Sequence, residues 1–189
     1  MLEEMAQKVH LSYLNNTDAD IQKVLNESGY YRLSNHESSL AQALTVEYRV
    51  KYILSKTKGE PGSAKERIER YLQDEDNFKT LCEMEHTRWL TYQRTEGWTK
   101  PTLKQMKEIA ALFGDGKTIK YNDLLLHPAN VPNDQLPAME KAADDILKEV
   151  AGESFTKTDY YNKDGYIVGK IPDIISEELI GYIENKKLI

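Results

Sequence analysis

Apolar side chains recur at three- and four-residue intervals along most of this chain, and that period limits what it can fold into. Leu2, Met5, Ala6, Val9, Tyr13 and Leu14 form one such stripe. Leu40, Ala43, Leu44, Tyr48 and Tyr52 form another; Phe78, Leu81, Cys82, Trp89 and Tyr92 a third; and Leu103, Met106, Ile109, Ala110 and Phe113 a fourth. A 3.6-residue period places such residues on one face of a helix. The spacing predicts helices over about 2–14, 19–25, 36–55, 65–72, from 78 onward, 103–113 and 138–150, with Thr17 or Asp18 as the cap of the second. One irregular stretch and one β signal interrupt them. His127-Pro128, Val131-Pro132 and Leu136-Pro137 force extended or turn geometry over 117–137. Asp164-Gly165, between Tyr160-Tyr161 and Tyr166-Ile167-Val168, reads as a hairpin turn ahead of a last helix over about 172–184. The expected fold is mainly α with short β segments.

Composition excludes several classes. At 189 residues and a net charge of −6, the chain can form one or two domains with a real core. No apolar run approaches the roughly 20 residues of a membrane span, so no membrane insertion is expected. The acidic total argues against a nucleic acid polymer as partner. The start Met1-Leu2-Glu3-Glu4 is unlike a secretory leader, and Cys82 is the sole cysteine, so a cytoplasmic location is expected. Twelve tyrosines against three phenylalanines and two tryptophans favour half-buried surfaces and wet clefts, because a phenol needs a partner.

Two stretches look alike. His10 and His86 lie 76 residues apart, and at that offset Met5 meets Leu81, Ala6 meets Cys82 and Tyr13 meets Trp89. The polar segment Lys56–Ala64, with Gly59, Pro61 and Gly62, is the best linker. The domains expected are a degenerate repeat over 1–58, a linker with a charged helix over 59–76, a repeat over 77–151, and a hairpin–helix extension over 152–189.

Glu85-His86-Thr87-Arg88-Trp89, Glu96-Gly97-Trp98, His127-Pro128-Ala129-Asn130-Val131-Pro132 and Leu136-Pro137-Ala138-Met139-Glu140-Lys141 with Asp144 resemble the RyR domain, the repeat named after ryanodine receptors. The first copy resembles a degenerate repeat, in which Arg32-Leu33-Ser34-Asn35-His36-Glu37-Ser38 matches the stretch opening the last helix. Gly29-Tyr30 stands where a glycine–tryptophan pair would be. The resemblance implies two helical repeats paired about a pseudo-twofold axis, a cleft between them that accepts adenine nucleotides, and a non-catalytic, regulatory role without a resident cofactor. A nucleotide or other small anionic ligand is the implied partner. A protein partner or homodimer is the alternative.

Each candidate residue carries two readings. Trp98, after a glycine at a helix end, either stacks on a flat ligand or plugs the core. Trp89 shares a stripe with Cys82 and His86, which favours packing. Arg32 and Arg88 either grip phosphate or pair with carboxylates. Asn35 and Ser34 either cap a helix or hold an anion. Tyr30 or Tyr31 could assist stacking, and Lys141 and Asp144 suit local helix pairs. His86 could bond a backbone carbonyl of the proline-rich loop and so fix it. Cys82 and His86 could both face a metal, but no further ligands are identifiable and no metal site is expected. Neither a phosphate loop nor a nucleophile elbow is present. The expected site is therefore Trp98, Arg88, Trp89, Arg32, Asn35 and Tyr31, with nothing catalytic.

Overall fold

The computed structural model describes residues 2–14 and 20–185, apart from the side chains of Ser34 and Tyr161. The described residues form ten α-helices: α1 (Leu2–Tyr13), α2 (Ile21–Glu27), α3 (Leu33–Lys56), α4 (Ala64–Gln73), α5 (Glu75–Thr95), α6 (Leu103–Phe113), α7 (Leu136–Ala151), α8 (Tyr160–Gly169), α9 (Ile171–Ile174) and α10 (Glu177–Asn185). The fold is mainly helical. The short β segments expected from the sequence are reduced, among the described residues, to two isolated bridges, Thr99–Leu126 and Tyr121–Leu126.

Local chemistry sets the helix ends. Ser63 and Glu66 form a capping box at the start of α4, and Thr102 and Gln105 form another at α6. Gly114, in left-handed conformation, ends α6. Asp20 caps α2 by accepting from the Lys23 amide at 3.0 Å; Thr17 and Asp18, the caps expected there, lie outside the described residues. Helix α3 begins at Leu33 with Arg32 at the cap position and no side-chain cap bond. Asn35 is thus not a cap: it sits in the first turn and donates to the Gly29 carbonyl at 3.0 Å.

The chain divides into two compact units. One holds the described residues up to Met84 together with those from Asp164 on; the other is Glu85–Lys163. In the first, α1 packs on α3 around Ala6, Val9, Val46, Val50, Ile53 and Leu54. The 59–76 segment, expected as a linker with a charged helix, contributes α4, whose Ala64, Ile68 and Tyr71 join the same core. Leu81 belongs to this core as well. Met5 and Leu81, partners at the 76-residue offset, therefore belong to one core. The second unit is built on α6 and α7, with Met106, Ala110, Ile119, Ala143, Ile146 and Leu147 buried between them.

The hairpin expected at Asp164-Gly165 is instead the middle of α8. Burial explains the difference. Asp164, Ile167, Val168 and Ile171 recur at helical spacing and are all buried, and Val168 and Ile171 lie in the first core. That packing outweighs the turn preference of an aspartate–glycine pair. The final helix is also divided, with Ile175-Ser176 separating α9 from α10 and the Ser176 hydroxyl accepting from the Leu179 amide at 3.1 Å.

A Cβ at Gly165 would meet the Phe78 ring at 3.6 Å, an ordinary contact. Gly165→Ala is therefore expected to raise unfolding stability by about 0.5–1 kcal/mol, the usual gain of alanine over glycine in a helix interior. Urea titration followed by circular dichroism measures it; a clear loss would signal a turn at this position.

Candidate functional site

The site residues of the second unit are organised by the end of α5. Gly97 has φ +86°, which lets the chain reverse there. The Trp98 amide donates to the Gln93 carbonyl at 2.9 Å, and the Gly97 amide to Arg94 at 3.1 Å. These paired bonds close the helix in a Schellman turn and deliver Trp98 to the loop beyond. Thr99 is then fixed by two backbone bonds. Its amide donates to the Leu125 carbonyl at 2.9 Å, and its carbonyl accepts from His127 at 3.0 Å. Leu125 adopts a left-handed φ of 51°, rare for a side chain of this kind.

The proline-rich loop packs against α5 through one buried bond. His86 Nε2 donates to the Val131 carbonyl at 2.8 Å. This is the loop-fixing role the sequence suggested for His86. Its ring stacks on Trp89 at 5.8 Å. Trp89 also meets His127 edge-on at 5.2 Å, so it serves in packing. His127 is enclosed further by Trp98 at 6.3 Å and Tyr160 at 5.4 Å. Its Nδ1 accepts from the Ala129 amide at 3.1 Å, which leaves the proton of the neutral ring on Nε2. Burial among these rings pushes the His127 pKa down to about 3, with the Lys120 cation and His86 acting in the same direction. Lys120 lies over the Trp98 ring, its ammonium 4.6 Å from the centroid, a cation–π contact.

Beside this cluster is a cleft of about 580 Å³ lined by Arg94, Gly97, Trp98, Thr99, Lys100, Asn130, Val131, Pro132 and Gln135. Arg94 and Lys100 are exposed cations at its edge. Asn130 is 3% exposed. Among the described residues, neither its side-chain oxygen nor its nitrogen has a hydrogen-bond partner. An unsatisfied buried polar group costs about 1–3 kcal/mol, so a buried amide lacking both partners calls for an explanation.

The sequence-predicted residues fall into two groups. Trp98 and Trp89 both meet His127, and Trp98 lines the cleft. Arg88 is committed elsewhere: its Nε and Nη2 donate to Glu85 at 2.8–3.1 Å, and Glu85 is 1% exposed. Of its two readings, the structure supplies the carboxylate pair. Tyr31, Arg32 and Asn35 belong to the first unit, around the turn from α2 to α3. The Tyr31 hydroxyl accepts from Gln22 at 2.8 Å, and Arg32 is exposed. Next to them the buried Tyr30 donates to Glu3 at 2.8 Å, and His36 Nε2 lies 2.9 Å from the other Glu3 oxygen. These two bonds, His36 first, hold the Glu3 carboxyl below its usual range. Asp144 does not pair with Lys141, which binds Asp145 at 2.6 Å. It accepts instead from the Thr158 amide and hydroxyl at 2.8 and 2.9 Å.

Sequence reasoning missed Arg94, Lys100, Lys120, His127, Gln135 and, above all, Asn130. In the sequence Asn130 stands inside the motif over 127–132 and between two prolines, where a side chain is held by rigid backbone, but neither fact marks its amide as unpaired. Among the described residues no group of three histidine, cysteine, aspartate or glutamate side chains could hold a metal ion, and no helix is long and apolar enough to cross a membrane. The chain matches no family model, no curated protein and no solved structure.

The pKa of His127 gives a pH dependence. The unfolded chain takes up a proton near pH 6.5 that the folded state resists until about pH 3. Stability from this group is complete above about pH 6.5 and falls as the pH drops through that window, by at most about 1.4 kcal/mol per unit. His10, lowered by burial, acts in the same direction. Urea midpoints at pH 7 and pH 5 should therefore differ more in the wild type than in His127→Gln; equal differences would remove His127 as the cause.

Proposed function

We propose that the chain is a non-catalytic ligand-sensing or regulatory module that binds a flat, anionic, nucleotide-like molecule in the Trp98 cleft. The observation that carries this function is the composition of the cleft. One tryptophan ring, two exposed cations and two side-chain amides line a space of about 580 Å³. That volume falls within the range of small-molecule sites. Trp98 offers a face for stacking, while Arg94 and Lys100 take the place of Arg88 in balancing negative charge.

The RyR-domain resemblance lends support, because its motif residues converge here. His86 holds Val131, Trp89 packs on His127, and Gly97 presents Trp98. The family's cleft was expected between two repeats; the cleft proposed as the site is lined by second-unit residues alone. Cytoplasmic location and a regulatory output are part of the same proposal.

An exposed stripe favours a second function, protein–protein interaction without a small ligand. Leu33, Leu44 and Tyr48 share one face of α3 and are 72%, 57% and 69% exposed. Size-exclusion chromatography with light scattering, on wild type and Leu44→Glu, addresses self-association through it.

Calorimetric and thermal-shift titrations with nucleoside mono- and triphosphates test the ligand site. Saturable stabilisation is expected, weaker at high salt. Trp98→Ala should cost about 1–3 kcal/mol of binding, the usual worth of a base–aromatic stack. Absence of any nucleotide-dependent shift, or an unchanged affinity in the variant, would overturn the assignment.

A further inference from the structure

We propose that Asn130 is the specificity-determining residue of the cleft, and that it recognises a ring edge presenting one hydrogen-bond donor beside one acceptor. The proposal rests on the ligand-binding function above and names the part of the ligand that the cleft selects.

The backbone around Asn130 leaves its side chain little freedom. Its amide nitrogen donates to the His127 carbonyl at 3.0 Å. The next carbonyl, Val131, is held by His86 at 2.8 Å. Pro128 and Pro132 flank it, each with a fixed φ. A carboxamide used for structure finds a backbone partner, as Asn35 does with the Gly29 carbonyl at 3.0 Å. Asn130 has none among the described residues for either polar atom. A leucine would fill the same volume without that penalty. An aspartate would place an unpaired anion against an anionic ligand. An amide makes sense where an incoming group supplies both an acceptor for its NH2 and a donor for its carbonyl.

The rest of the cleft narrows the class. Trp98 requires a planar ring, and Arg94 and Lys100 require a negatively charged substituent. A ring edge with adjacent donor and acceptor is the property of nucleobases, whose amino–imine and lactam edges pair bidentately with asparagine-type amides. The ligand class is therefore a phosphorylated nucleobase compound recognised through one such edge.

The test measures discrimination between each of AMP, GMP, CMP and UMP and its analogue lacking the exocyclic group on that edge. The analogues are the purine, 2-aminopurine and 2-pyrimidinone riboside monophosphates, and ribose 5-phosphate is the ringless control. Wild type should bind its preferred nucleotide at least about tenfold more tightly than the analogue, as one bidentate pair provides. Asn130→Leu should erase that preference while its melting temperature holds or rises. Trp98→Ala should weaken nucleotide and analogue alike. If Asn130→Leu does not fold, Asn130→Ala, which removes both polar atoms and adds no charge, should show the same collapse. Preserved discrimination in the folded variant, or none in the wild type, would overturn the role of Asn130 and leave the ligand site standing. No binding of any probe to wild type would overturn the ligand site itself.

Discussion

The hydrogen bond from His86 to the Val131 carbonyl joins residues 45 positions apart, and the geometry of the cleft depends on it. On one side of the bond is α5, whose final turn delivers Gly97 and Trp98. On the other is the segment from His127 to Pro132, which has no regular backbone pairing of its own. A loop of this kind ordinarily stays at the surface because its carbonyls need water. Here Pro128, Ala129, Asn130 and Val131 are buried, which is tolerable because the Val131 carbonyl has a fixed donor and the amides of Ala129, Asn130 and Val131 are satisfied locally. The stack of His86 on Trp89, and of Trp89 against His127, extends the same constraint sideways. The cleft wall is thus positioned by one polar bond and a chain of rings rather than by a sheet.

Much of the helical architecture was legible because amphipathic period is a local property. The stripes through Met5 and Val9, and through Met106, Ile109 and Ala110, are buried as their spacing requires. The role of His86 was legible too, since a histidine in an apolar stripe must find an acceptor. Asp164-Gly165 was misleading for the opposite reason. Its turn preference is local, while the burial of Val168 and Ile171 that overrides it depends on a core assembled from α1, α3, α4 and α5. Likewise no spacing rule could show that Leu81 joins the core of Met5. The 76-residue offset records a shared helical pattern, and shared pattern does not determine which core a residue enters.

The site residues divide along the same line. Trp98 was visible because a tryptophan after a glycine at a helix end is conspicuous in one dimension. Arg88 was visible as a charge, yet its partner Glu85 lies three residues earlier on the same helix, and burial of that carboxylate at 1% exposure turns a free cation into a committed one. Asn130 was visible as part of a motif and not as a site residue. An asparagine between prolines most often forms a turn with its own backbone, and only the closed loop shows that its amide has been left without that outlet.

Local rules broken together in one place carry more weight than any one of them. Leu125 is held left-handed, His127 is kept neutral by enclosure, and Asn130 is buried with both polar atoms unpaired, and all three lie within the six residues from Leu125 to Asn130. The first and third oppose stability at any pH and the second below about pH 6.5, and each would be relieved by a simple substitution. Elsewhere among the described residues the left-handed positions are glycines and the Asn35 amide bonds a carbonyl, although Arg67 Nε is also buried without a partner. Natural sequences tolerate such conflicts chiefly where function requires them. The strain sits on the backbone that Thr99 pairs with, the half-buried imidazole meets the ring of Trp98, and Asn130 lines the same cleft. The three conflicts thus bear on one cleft, Asn130 directly and Leu125 and His127 through Thr99 and Trp98, which is where the proposed ligand would act.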